Sequence, residues 1–172
     1  MFNNQTGIAE FDIFEIRYWD VLCKKYPHIK KYNVRCLTID QYRKLENVPE
    51  IDFSENDCFE FAFDDRIIRN GDCPFASIIV NESACKRLCF TQDDKLAAIA
   101  HELGHIVHAT NTILQNAHES WKEKFADEVA GFIGLSKSLK SLIQKLKDSK
   151  LYSDYQNSLF DFRITNLKDL IA

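Results

Sequence analysis

Apolar and polar residues follow helical and strand patterns in the first half of the chain and predict one helix and a small sheet. Apolar residues at helical spacing over 9–26 predict a helix that Pro27 ends. Asp40 is predicted to cap a short helix that runs through Leu45. Alternating or short apolar segments predict the strands of a mostly antiparallel sheet, at 32–39, 58–63, 66–69 and 75–80.

The second half of the chain changes to a helical pattern. Thr91 and Asp94 have the spacing of a capping box, so a helix is expected to begin there. A second helix is expected around 121–133, and the lysine-rich segment 137–150 predicts an amphipathic helix with a solvated lysine face. The first of these helices carries an apolar stripe made of Leu96, Ile99, Ala100, Leu103, Ile106 and Val107.

His101 and His105 lie off this stripe and are four residues apart. Side chains at this spacing point the same way with Cβ atoms about 5–6 Å apart, so both imidazoles can bind one zinc ion. Glu102 leans beside the ion, where a carboxylate can accept a proton from zinc-bound water. The motif therefore predicts a catalytic zinc site with Glu102 as general base. His108 lies about 10 Å beyond His101 along the helix axis, too far to share the ion. Gly104, between the two histidines, is small enough for another backbone to pass close by, although a merely tolerated glycine is the simpler interpretation.

A catalytic zinc ion usually has three protein ligands and one water. Glu123 is the best candidate for the third ligand, because the polar segment 111–120 is long enough to bring the second helix back against the first. Asp127, one turn further on, can accept a hydrogen bond from a ligand histidine. The other candidates for the third ligand are Glu119, Glu128 and His118.

His101-Glu-Leu-Gly-His105 followed by Glu123-x-x-Ala126-Asp127 resembles the gluzincin metallopeptidases, most closely the small ImmA/IrrE-type domains. The resemblance covers about 75–135 and implies a zincin-like fold. Two features depart from the family pattern: Phe125 stands where a second acidic residue is common, and 132–135 replaces a Leu-Met-Pro-like ending. The implied roles are zinc ligands for His101, His105 and Glu123, general base for Glu102, and support of a ligand for Asp127.

The resemblance implies a zinc-dependent peptidase that cleaves a protein substrate, and the family is associated with regulatory or repressor proteins. In zincins a strand ahead of the motif helix pairs with extended substrate; 75–81 is expected either to do this or to be plain sheet core. No spacing assigns an oxyanion donor, for which the candidates are His118, Tyr152 and Tyr155.

Two other functions stay open. The first is a catalytically inactive zinc-binding regulatory or scaffold domain. Glu102 argues against it, because a structural zinc site needs no base and usually has a fourth protein ligand. The second is an interaction protein with a chance motif, which the fitting downstream segment at Glu123 opposes.

A chain of 172 residues predicts one α+β domain, 1–172, with its catalytic core at about 75–135. The expected order is an N-terminal helix, a small sheet, the two helices of the zinc site and further C-terminal helices. A net charge of −4 argues against direct nucleic-acid binding, and no apolar run predicts a membrane span. Since the N-terminus has no signal-peptide pattern, the six cysteines are expected to be reduced thiols in a cytoplasmic protein.

Overall fold

The computed structural model describes residues 1–45, 53–64, 75–109 and 117–169. They form helices and a small mixed sheet, so the expected α+β class is confirmed. The chain divides into two compact units, 1–85 and 86–172, each described by itself below. The expected single domain stays a prediction. In the described part, no helix is long and apolar enough to cross a bilayer.

The sheet of the first unit has the strand order β1-β2-β4-β3 in the described residues. β1 pairs parallel with β2, β2 pairs parallel with β4, and only β3 and β4 are antiparallel. The expectation of a mostly antiparallel sheet was therefore wrong. Helical segments follow β1 and β2 and let the chain cross back before it pairs, which is what parallel pairing requires. The strands are β1 (Phe2–Asn4), β2 (Asn33–Thr38), β3 (Phe59–Asp64) and β4 (Phe75–Val80).

β4 lies inside this sheet, with β2 on one side and β3 on the other. Both of its backbone edges are therefore occupied, so the expected pairing of 75–81 with an extended substrate was wrong and the alternative, sheet core, is what the structure shows. Ile78 and Ile79 are fully buried, as a central strand requires. The predicted strand at 66–69 lies outside the described residues.

The helix predicted over 9–26 is present with a π-helical turn in its middle. It consists of α1 (Ala9–Phe14), the π-helical turn (Glu15–Trp19) and α2 (Asp20–Lys25), and a 3-10 helix (Pro27–Lys31) follows. Phe11, Phe14 and Leu22 are fully buried.

The short helix α3 (Ile39–Arg43) is capped by Thr38 and not by Asp40, so that prediction was wrong by two residues. The Thr38 hydroxyl accepts from the backbone of Gln41, and the Gln41 side chain accepts from the backbone of Thr38. Threonine and glutamine three apart satisfy two orphan backbone donors at once, which a lone aspartate two residues later cannot do.

The second unit is helical in its described residues, and its helices pack against one another. α5 packs against α6 and α7, and α8 packs against the same two helices. Every residue of α5 from Leu96 to His108 is buried, which is typical of a helix surrounded by protein. The elements are α4 (Glu82–Arg87), which spans the boundary between the units, α5 (Gln92–Ala109), α6 (Glu119–Phe132), α7 (Ser136–Asp148) and α8 (Asp154–Asp169).

The N-terminus of α5 has the capping box expected from the sequence. Thr91 donates to Asp94 Oδ2 from its backbone and its hydroxyl, both at 2.8 Å, and the Asp94 backbone donates back to Thr91 Oγ1 at 3.2 Å. Lys145 of α7 donates to the same carboxylate at 2.6 Å. The lysine face of α7 is therefore not solvated throughout, because one of its lysines pairs with a buried aspartate.

Replacing Asp94 with alanine is expected to lower the free energy of unfolding by roughly 2 kcal/mol at neutral pH. The change removes the half of the α5 capping box in which the Asp94 carboxylate accepts from Thr91, and it leaves the Lys145 ammonium without this partner. Urea denaturation of the variant and the wild type measures the difference. Asp93→Ala is the matched control, because Asp93 is an exposed acidic residue of the same helical turn.

The difference in stability between the wild type and Asp94→Ala is expected to depend on pH. Burial raises the pKa of Asp94, but Lys145 and Thr91 outweigh it and hold the pKa below its usual value. A carboxyl group with a lowered folded-state pKa stabilises the fold above its unfolded pKa, and this contribution is lost as the pH falls through the folded pKa. The stability gap between wild type and Asp94→Ala should therefore narrow below about pH 4. A gap that widened on acidification would contradict the ion pair.

The five cysteines in the described part of the chain are free thiols. Four of them are buried, and Cys89 is exposed. Cys73, the sixth, lies outside the described residues.

Candidate metal centre

The structure brings His101 and His105 of α5 together with Glu123 of α6. The Nε2 atoms of the two histidines are 3.1 Å apart. Glu123 Oε2 lies 3.3 Å from His101 Nε2, and Glu123 Oε1 lies 3.1 Å from His105 Nε2. In a tetrahedral zinc site with bonds of about 2.0–2.1 Å, ligand atoms are about 3.3–3.4 Å apart. Each histidine lies at close to this spacing from one Glu123 oxygen, and one ligand atom from each of the three side chains lies within 4.8 Å of the others, so the set can hold one zinc ion.

Gly104 lets the two helices approach closely enough for this convergence. A Cβ atom added at Gly104 would lie 2.5 Å from Ala126 Cα and 2.9 Å from the Ala126 carbonyl oxygen. The backbone of α6 therefore passes directly over Gly104, so the structure shows the close approach and not the simpler interpretation of a merely tolerated glycine. Ala126 lies between Glu123 and Asp127, so this crossing sets how far both carboxylates reach toward α5.

Gly104→Ala is expected to lower the free energy of unfolding by about 1–3 kcal/mol, because the new methyl group collides with backbone. Helix propensity alone predicts the opposite sign, a gain of about 1 kcal/mol. Thermal and urea unfolding of Gly104→Ala and the wild type show whether stability is lost through the collision or gained through helix propensity. Ala126→Gly should fail to rescue the variant, since the nearest atoms at the collision are Ala126 Cα and its carbonyl oxygen; rescue would mean that the helices are not packed this closely.

Asp127 orients one of the two histidines. Its Oδ1 accepts a hydrogen bond from His101 Nδ1 at 2.8 Å, and its side chain is almost completely buried. In the tautomer with the proton on Nδ1, this bond leaves the Nε2 lone pair of His101 directed toward His105 and Glu123. This carboxylate–histidine arrangement is typical of protein zinc sites.

Arg163 of α8 completes the cluster, and the sequence analysis did not identify it. Its Nη1 lies 3.0 Å from Glu123 Oε2, while Nη2 and Nε donate to the two oxygens of Asp127 at 2.7 and 3.0 Å. Arg163 is buried on the same face of α8 as Phe160 and Leu167. The one available signal was an arginine at helical spacing within an apolar stripe, because buried arginines need acidic partners.

The carboxylates of this cluster outnumber its guanidinium. Glu123 and Asp127 each carry a negative charge, and Arg163 contacts both of them with its one positive charge. With both histidines in the neutral form that binds metal, these three groups have a net charge of −1. Unbalanced charge is costly to bury, and a divalent cation at the histidines offsets it. The donor set and this excess of negative charge both fit a zinc ion.

The pKa shifts of the cluster reflect the same excess of negative charge. Burial and the Arg163 guanidinium lower the pKa of His101, but Glu123 and Asp127 outweigh them and raise it to about 9. Burial raises the pKa values of Glu123 and Asp127, yet Arg163 and His101 outweigh it and hold both below their usual values. Burial lowers the pKa of His105. At neutral pH both carboxylates are ionised, and a proton on His101 competes with a metal ion.

Glu102 is buried on α5, next to His101 in the chain, and its negative charge contributes to a raised pKa of Arg163. The other candidates for the third ligand lie outside the cluster. Glu119 accepts a hydrogen bond from the Tyr155 hydroxyl at 2.6 Å, Glu128 is exposed, and His118 caps α6 by accepting from the Ser120 backbone.

The three candidates for an oxyanion donor make other contacts in the described part of the chain. Tyr155 is bonded to Glu119, Tyr152 packs edge-on against Phe160, and His118 caps α6. His108 packs against Phe125 with ring centroids 5.7 Å apart and lies outside the metal cluster, as expected from its distance along α5.

Comparisons with family models, curated proteins and solved structures returned no match to this chain. The resemblance to ImmA/IrrE-type domains therefore depends on the motifs at His101–His105 and Glu123–Asp127 alone. It stays a prediction.

Proposed function

We propose that the chain is a zinc-dependent metallopeptidase of the gluzincin type, similar to ImmA/IrrE-type domains, which holds one zinc ion through His101, His105 and Glu123. The observation that carries the proposal is the convergence of these three side chains, in which the nearest ligand atoms of each pair are 3.1–3.3 Å apart, with Glu102 next to His101 in the chain. The net negative charge of Glu123, Asp127 and Arg163, counted with neutral histidines, also supports it.

The residues of the site divide the chemistry between them. A zinc ion bound here supplies Lewis acidity, which activates a water molecule at neutral pH and polarises the scissile carbonyl. Glu102 accepts the proton of that water and returns it to the leaving amine. Asp127 holds the His101 ring in its ligand tautomer. Arg163 keeps Glu123 and Asp127 ionised, so neither carboxylate takes up the proton that Glu102 must carry.

The alternative of an inactive zinc-binding scaffold is less well supported. Within the described ranges, the group of side chains that can hold a metal contains three ligands, not the four that structural zinc sites usually have. A position left for water is what catalysis requires. We infer a protein or peptide substrate, and from the resemblance alone a regulatory or repressor protein. Cytoplasmic location and the lack of direct nucleic-acid binding stay predictions.

The proposal is tested by metal analysis followed by a peptidase assay. Purified wild-type protein is equilibrated with zinc, dialysed and analysed for zinc per chain, with Glu128→Ala treated in parallel. The loaded protein is then incubated with a library of unstructured peptides, and products are identified by mass spectrometry. We expect one zinc ion per chain and cleavage that a chelator stops and added zinc restores. A chain that takes up no zinc would overturn the proposal.

A further inference from the structure

Arg163 spans two carboxylates that have different tasks in the proposed site. Two of its nitrogens bind Asp127, which orients His101, and the third lies 3.0 Å from Oε2 of the ligand Glu123. A planar guanidinium presents its nitrogens in a fixed fork, so the two hydrogen bonds to Asp127 also determine where Nη1 meets Glu123. Arg163 is 6% exposed and is therefore held in place by the packing of α8.

The ion-pair contact between Arg163 and Glu123 is made through Oε2. That oxygen lies 3.0 Å from Arg163 Nη1 and 3.3 Å from His101 Nε2, whereas Oε1 lies 3.1 Å from His105 Nε2. A carboxylate can bind a metal ion through one oxygen or through both. Because Oε2 already contacts the guanidinium, Oε1 is the stronger ligand for a metal ion.

We propose that Arg163 is a positioning residue of the metal centre, which holds Glu123 by Oε2 so that the ion receives a single carboxylate oxygen. The inference rests on the proposed zinc site. It gives α8 a part in that site, although no zinc ligand comes from this helix. If Glu123 binds through one oxygen only, the ion would keep a coordination position for water. A catalytic zinc ion needs such a position.

The test must separate positioning from charge. Arg163→Met alone removes one positive charge from the cluster, so its effect on zinc affinity would mix lost geometry with stronger attraction. Two variants leave the net charge of the cluster unchanged. Arg163→Lys retains the positive charge but lacks the fork. The double variant Asp127→Asn/Arg163→Met loses one charge of each sign and keeps an amide oxygen to accept from His101 Nδ1.

Zinc affinity is measured by competition with a chelating dye, and coordination by the visible spectrum after loading with Co²⁺. We expect both variants to bind zinc about 10–100-fold more weakly than the wild type. The Co²⁺ absorption should also become weaker, as it does when four-coordinate cobalt gains a fifth ligand. Arg163→Lys should show the smaller change in each measurement, because lysine keeps one donor near the carboxylates.

Wild-type affinity and an unchanged Co²⁺ spectrum in both variants would overturn the role of Arg163 while leaving the zinc site intact. Lower affinity with an unchanged spectrum would also overturn it, since a general loss of stability weakens binding without changing coordination. If the double variant does not fold, Arg163→Lys alone decides by the same two measurements. A wild-type chain that binds neither metal would overturn the metal site itself, and this inference with it.

Discussion

Glu102→Gln is expected to retain one zinc ion per chain and to hydrolyse peptides about 10²- to 10⁴-fold more slowly than the wild type. Glutamine has nearly the same shape as glutamate but cannot accept the proton of the attacking water. The side chain is not among the three that converge on the ion position, so zinc binding should survive its replacement. Zinc content and the rate of peptide cleavage are measured on the same preparation.

The matched control is Glu128→Gln, an identical change at an exposed glutamate of α6. It should leave both zinc content and rate unchanged. If Glu102→Gln lost its zinc, Glu102 would be a ligand and the ligand set would be wrong. If it kept both zinc and full activity, another group would be the base.

The parts of the site that the sequence predicted depend on relations within one helix or between two neighbouring ones. The spacing of four between His101 and His105 determines their common face whatever surrounds the helix. The role of Gly104 can also be suggested from the motif itself, because a second backbone can approach a small residue that lies between two ligands. Glu123 and Asp127 have the same spacing on the next helix and therefore share a face. That face made Glu123 the best candidate for the third ligand, while Glu119, Glu128 and His118 stayed open.

Arg163 could not be predicted in this way, because its partners are distant in the sequence. Asp127 lies 36 residues before it, and Glu123 lies one helical turn earlier still. Which helix of a bundle covers a site depends on how all the helices pack, and periodicity within α8 contains no information on that. The sequence shows only that an arginine occupies an apolar stripe, which leaves its partners undetermined.

The sheet also shows that patterns within one segment do not predict how segments pack against one another. The segments of β2, β3 and β4 were predicted from alternation or apolar content, whereas their order and direction were not. Pairing depends on where the connecting helices carry the chain, so the parallel β1–β2 and β2–β4 pairs were missed. β1 itself has only three residues and is too short for its alternation to be recognised. The substrate-pairing role expected for 75–81 was wrong for this reason, since β4 is an internal strand.

Glu123→Ala is expected to abolish stoichiometric zinc binding. It removes a direct ligand, so the loss of affinity should exceed the roughly 10- to 100-fold that removal of an outer-shell partner costs. The variant should still fold, because Arg163 keeps both of its bonds to Asp127 and is not left as an unpaired buried charge. Zinc per chain after dialysis measures the effect, with Glu128→Ala as the control on the same helix.

Thermal unfolding gives a second measurement of the same change that does not depend on finding a substrate. A ligand that binds only the folded state stabilises it by about 2.7 kcal/mol at a free concentration of 100 times its Kd. Zinc should therefore raise the Tm of the wild type and of Glu128→Ala, and a chelator should reverse the rise. The Tm of Glu123→Ala should not respond to zinc at these concentrations. A full response in this variant would mean that the third ligand is another residue, and Glu119, at the start of the same helix, would be the first to replace.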